Sequence, residues 1–217
     1  MSGTFPSSDK FKDTTLSSIQ PSLKVTGDSG RTLARDMGGH LWTAKANMVV
    51  QTQAEFAPVQ GFMAGQRGDS FLVEIPPHNN AQGTIAGTAL INGTYSEGDT
   101  SIKFDGITGT VKAGDFINVA GHTKAYMIED DVTAGDGTLL METGDKLLLE
   151  TGDELLLELD GQVTVTVYPA LIEDVANNEA VTYDGVQFTM ALKGDIVQDS
   201  YSAPNLTTYS FDLIEAL

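Results

Sequence analysis

The side chains of this sequence that could do chemistry are three histidines, an abundance of carboxylates, a few cations and one tryptophan. His40, His78 and His122 stand far apart, and none belongs to H-E-x-x-H or another spaced ligand set. Ordinary surface or hydrogen-bonded histidines are therefore expected in place of a metal centre. Asp136, Asp145, Asp153 and Asp160 each adjoin a glycine and could offer oxygens to calcium. One Asp per turn is too few, however, and the spacing is unlike an EF-hand loop. No G-x-S-x-G elbow, phosphate-binding loop or dinucleotide fingerprint is present. The absence of cysteine excludes a disulfide framework, a thiolate metal site and a Cys nucleophile. In so acidic a chain no particular carboxylate pair stands out as a glycosidase dyad. The expectation is a protein that is not an enzyme, with no catalytic residues, no metal and no cofactor.

The remaining candidates read as structural. Arg31, Arg35 and Lys45 are expected to form ion pairs on a scaffold crowded with carboxylates, with a functional anion site as the alternative. Trp42 sits beside alternating apolar residues, as a core anchor does, in preference to a sugar platform. Asp115 lies in KAGDFINV, a turn entering a strand, and would need a catalytic partner that the sequence does not show.

Acidic residues number 30 against 12 basic ones, a formal charge of −18. That balance opposes binding to phosphate backbones and anionic lipid, both of which depend on Lys and Arg. No run of about 18 apolar residues occurs, and the first residues lack a basic region followed by an apolar core. A soluble chain without an export signal is expected. With 217 residues and 41% hydrophobic content it can build one large core or two small ones.

The elements that must position these side chains are organised around residues 40–77. HLWTAKANMVV alternates Leu41, Thr43, then Met48, Val50, as a strand does. QTQAEFAPVQGFMAGQRG places Phe56, Val59, Phe62 and Met63 at helical spacing, with Thr52 and Glu55 forming a capping box. Pro58 is expected to kink this helix or to delay its start to Ala57. DSFLVEIPP alternates again at Phe71, Val73 and Ile75. Before this unit, Ile19, Leu23 and Val25 suggest one or two further strands. After it, short β-like runs at 100–107, 115–119, 124–128 and 162–168 suggest a small barrel or sandwich. Longer strands follow at 181–192, with an Asp184-Gly185 turn inside, and at 209–217. The predicted fold is mainly β, sandwich- or barrel-like, with one short helix near 53–65. A discontinuous scaffold domain (1–80 and 175–217) encloses an inserted small β domain (81–174).

Residues 138–161 form three octads, TLLMETGD, KLLLETGD and ELLLELDG. Removing them joins Gly137 to Gln162 and leaves what reads as an ordinary hairpin, so the octads look like an insertion into a β-turn. Strand alternation places Leu147 and Leu149 on one side and Leu148 on the other, and the third octad repeats this with Leu155, Leu156 and Leu157. Leucine on both faces is hard to solvate, so these six residues are expected to make assembly contacts, on their own domain or on a neighbouring subunit.

The order of these blocks resembles the tail structural proteins of tailed bacteriophages and prophages. The blocks are TLARDMGGHLWTAKANMVVQTQAEFAPVQGFMAGQRGDSFLVEIPP, VKAGDFINVAGHTKAYMIEDDVT, VTVTVYPAL and YSFDLIEAL, together spanning most of 31–217, and the octads depart from the pattern. The resemblance, closest in role to distal tail or baseplate ring components, implies a virion protein made in the host cytoplasm. It also implies a symmetric ring, expected to be a hexamer, joining tail tube to hub or fibre proteins. It implies no catalytic residue; that there is no nucleic-acid sequence recognition and no membrane insertion is expected from the charge and the lack of a long apolar run. A carbohydrate- or receptor-binding β module of the virion is the alternative.

Overall fold

The computed structural model describes residues 3–36, 38–66, 68–134, 161–194, 198–202 and 206–216. The octads, with Leu147, Leu148, Leu149, Leu155, Leu156 and Leu157, lie outside the described residues apart from Gly161. The chain is mainly β with one α-helix among the described residues. In chain order the elements begin with β1 (Phe11–Ile19), β2 (Ser22–Thr26), β3 (Thr32–Asp36), β4 (Leu41–Met48), β5 (Gln51–Thr52), α1 (Gln53–Gly65) and β6 (Phe71–Glu74). They continue with β7 (Ala86–Ile91), β8 (Ser101–Thr108), β9 (Thr110–Val111), β10 (Phe116–Val119), β11 (Ala125–Ile128) and β12 (Val132–Thr133). The last are β13 (Val163–Tyr168), β14 (Val181–Thr182), β15 (Gln187–Leu192), β16 (Gln198–Ser202) and β17 (Leu206–Glu215).

The chain divides into two compact units, Met1–Pro76 with Gln187–Leu217 and Pro77–Val186. In the first, an antiparallel sheet runs β1-β4-β17-β15-β6, and β16 and β5 also pair with β17. β17 is the hub of this sheet, with β4 and β5 along one edge and β15 and β16 along the other. Alternation puts Trp42, Ala44, Ala46 and Met48 of β4 inside. This corrects the inward face read from Leu41 and Thr43, which are half-buried, and from Val50, which is exposed. The alanines fit because their ladder partners are large: Ala46 lies opposite Phe211 and Ala44 opposite Leu213. Phe5 lies at the middle of an aromatic core, stacked on Phe11 at 5.3 Å and within 6.4 Å of Phe62, Phe71 and Phe211.

α1 adds Phe56, Val59 and Met63 to that core, with Phe56 4.9 Å from Tyr209. Its start is set by Glu55, whose carboxylate accepts the Thr52 N–H (3.0 Å) and the Thr52 hydroxyl (2.8 Å). Helix begins at Gln53 and runs through Pro58, against the delayed start expected from that residue. Pro58 and Ala54 are both exposed, so the Ala54 carbonyl that loses its helical donor can turn to water.

The second unit is a six-stranded antiparallel sheet in the order β14-β10-β11-β13-β8-β7. It curls until Leu90 of β7 bridges Ala180, the residue before β14, closing a small barrel. Ile102, Phe104, Ile117, Tyr126, Val165 and Val175 are among the side chains that fill it. The unit extends to Val186, beyond the boundary near 175 expected from the sequence. Val175 pairs with Tyr95 and β14 pairs with β10, so the barrel holds both stretches. The turn at Asp184-Gly185 therefore does not join two strands of one hairpin: β14 belongs to the barrel and β15 to the scaffold sheet. Nor, among the described residues, do the strands that flank the octads pair as a hairpin. β12, before them, pairs with β9, whereas β13, after them, pairs with β11 and β8.

Close backbone approach explains one glycine of the barrel. Gly109 has φ +85°, and a Cβ there would stand 2.2 Å from the Thr84 carbonyl oxygen. The Thr84 N–H donates to Thr110 O (3.0 Å) and the Thr110 N–H to Thr84 Oγ1 (3.1 Å), which pins the two segments together.

Candidate functional site

The histidines lie in different settings. His40 is buried and meets Trp42 edge-on at 4.5 Å, while its Nε2 lies 2.9 Å from Ser18 Oγ. The main-chain N–H of Trp42 donates to Glu215 Oε2 at 3.0 Å. Ser18, His40 and Glu215 thus gather around Trp42 from the ends of β1, β4 and β17, a grouping that no local motif announces. The register supports a structural role, since Ser18 is the ladder partner of Trp42. These contacts tie three strands together at the end of the sheet. At 3% exposure Trp42 is a core anchor, with no face for a sugar to stack on.

In the barrel unit His78 is half-buried against Phe116, with ring centroids 5.4 Å apart, and desolvation lowers its pKa. His122 Nδ1 lies 2.8 Å from the Tyr126 hydroxyl, whose oxygen accepts the Ile172 N–H at 3.2 Å. Among the described residues no three His, Asp or Glu side chains converge as a metal site would require.

Asp115 also has a structural role. Its Oδ1 accepts the Gln82 N–H at 2.7 Å and its Oδ2 the Lys112 N–H at 3.0 Å, holding a loop against the turn that enters β10. Asp131 receives the Lys112 ammonium and the Ala113 N–H, and these bonds hold its carboxyl below the usual range.

The cations differ from expectation. Among the described side chains the ion pairs are Lys10 with Asp9, Lys12 with Asp13 and Lys112 with Asp131, and Arg31, Arg35 and Lys45 take part in none of these. Lys45 lies opposite Asp212 in the β4–β17 ladder, on the solvent-facing side of the scaffold sheet. Together with Lys12, Asp13, Asn47 and Lys193 these residues border an open concavity of about 850 Å³. It offers alternating charge and hydrogen-bonding groups to a surface laid against it.

The most unusual exposed feature is the β2–β3 hairpin. Among the described residues its strands pair only with each other, and every residue of β2 is exposed. Leu23, Val25 and Leu33 are 53%, 54% and 66% exposed. The run at Ile19, Leu23 and Val25 forms strands, as its alternation suggests, and all three side chains are exposed. The five-residue loop 27–31 is closed by hydrogen bonds from Gly27 N–H to Arg31 O and from Gly30 N–H to Gly27 O.

No protein-family model matches the chain, and a search of curated proteins returns no match.

Proposed function

We propose that this chain is a structural protein of a bacteriophage tail, a ring-forming distal tail or baseplate component that joins the tail tube to hub or fibre proteins. The observation that carries the reading is the placement of the barrel. β6 and β15 are antiparallel neighbours, and the whole of Pro77–Val186 stands where a hairpin turn would connect them. A scaffold sheet and a separately cored module in one subunit are the parts needed by a protein that assembles through one unit and presents another. The order of the sequence motifs supports the tail reading. β1, nine residues long and paired among the described residues only with β4, supplies an edge on which a neighbour could build. Exposed apolar residues on the hairpin supply a second, different surface.

The test is light scattering with negative-stain microscopy on the purified chain, together with mass spectrometry of purified virions from the host that carries the gene. Rings, most consistently six-fold, and recovery from virion tails are the expected results. A monomer at all concentrations that is absent from virions would overturn the reading. Reproducible glycan-array binding by such a monomer would favour the receptor-binding alternative.

A further inference from the structure

We infer that the β2–β3 hairpin is a docking arm whose apolar face is covered by the octad segment, residues 138–161, of a second copy of this chain. The inference rests on the assembly reading above and identifies the contact. In the β2–β3 ladder Val25 lies opposite Leu33 and Leu23 opposite Arg35. Ladder partners share a face and alternate residues return to it, so Leu23, Val25, Leu33 and Arg35 form one side of the ribbon. The other side is polar, with the Thr26 and Thr32 hydroxyls 3.2 Å apart. An isolated two-stranded ribbon is marginal in water, and one that exposes three large apolar side chains on a single face gains its stability from a partner.

Charge selects the occupant. The arm carries Lys24, Arg31 and Arg35 against Asp28 and Asp36, a basic excess in a chain of formal charge −18. The octads offer the complement in sequence: repeated leucines flanked by Glu142, Asp145, Glu150, Asp153, Glu154, Glu158 and Asp160, with Lys146 alone of opposite sign. An apolar face that bears Arg35, on an arm with one more cation than anions, and an apolar, acidic segment are unlike surfaces of one subunit. Head-to-tail closure of a ring requires such a pair.

Two variants test this in the full chain. One carries Leu23→Ser, Val25→Thr and Leu33→Ser, all at exposed positions; the other lacks residues 138–161. Each alone is expected to lose assembly at least tenfold by light scattering. An equimolar mixture is expected to form dimers and stop there, because each dimer has one intact arm facing one intact octad segment and no second productive contact. Should the deletion melt without cooperativity, Glu150→Lys with Asp153→Lys and Glu154→Lys takes its place, with the same expected outcomes. Wild-type-like assembly by either variant, or a mixture that stays monomeric, overturns the docking arm while leaving a ring-forming wild type standing. A wild type that never assembles overturns the ring reading itself.

Discussion

Glu74 and Gln187 face each other across the β6–β15 ladder, although all of the barrel unit lies between them in the chain. The segments entering and leaving the barrel unit are also tied, by the Val186 N–H to Asn79 O at 2.8 Å and by the Asn80–Asp184 bridge. Replacing residues 77–186 by a short Asn-Gly turn is therefore expected to leave a cooperatively folding β scaffold. Circular dichroism and thermal unfolding would check this. A chain without a melting transition would show that the scaffold depends on the barrel.

Trp42→Ala should destabilise the scaffold by about 3–5 kcal/mol, the usual cost of truncating a buried aromatic. The substitution also leaves the His40 ring facing a hole, while the bond from the main-chain N–H of residue 42 to Glu215 is retained. Chemical denaturation should show the loss directly, whereas an unchanged midpoint would contradict the burial of the indole.

Gly109→Ala should destabilise the barrel unit by about 1–3 kcal/mol, because the new methyl meets the Thr84 carbonyl and φ is positive. The expected readout is a fall of at least about 4 °C in the barrel transition. Gly114→Ala, also at positive φ but with open space at its Cβ, isolates the backbone contribution and should cost less.

The lowered pKa of His78 fixes the direction of a pH effect. Burial disfavours the protonated ring in the folded chain, whereas the unfolded chain takes up its proton near the ordinary value of 6.5. Stability from this group is complete above that value and is lost as pH falls through it toward the lower folded value. His78→Gln should flatten the decline in melting temperature between about pH 7 and about pH 5. Glu55, lowered chiefly by the Thr52 N–H, and Asp131, lowered chiefly by Lys112, act in a more acidic window. Their contributions are present above the ordinary values of 4.5 and 3.8 and disappear as pH falls through the folded values.

Legibility followed the range of the interactions. The 40–77 unit could be read because the capping box, the Phe56–Met63 spacing and the Phe71–Ile75 alternation are local, and the β8, β10, β11 and β13 strands for the same reason. Partnership is not local. Alternation looks the same on either side of Asp184-Gly185, yet β14 and β15 enter different sheets. The inward face of β4 was obscured because Ala44 and Ala46 carry little hydrophobic signal, and their fit depends on Phe211 and Leu213. Ser18, His40 and Glu215 meet across three strands, so no spacing rule finds them. The hairpin run at Leu23 and Val25 has the pattern of a half-buried strand, and only its surroundings distinguish a core face from a docking face.

The central place of β17 bears on how the protein is made. During translation the barrel residues are complete at Val186 before β15 emerges, and β4 waits unpaired on one side until β17 follows. A nascent or prematurely ended chain can therefore carry a finished barrel on an unfinished scaffold, with Ala44 and Ala46 still lacking their partners on β17. Only a chain that has added β17 has a continuous scaffold sheet to offer. Under the assembly proposed above, that dependence would act as an inspection step, since a subunit lacking β17 would lack the strand that joins β4 to β15.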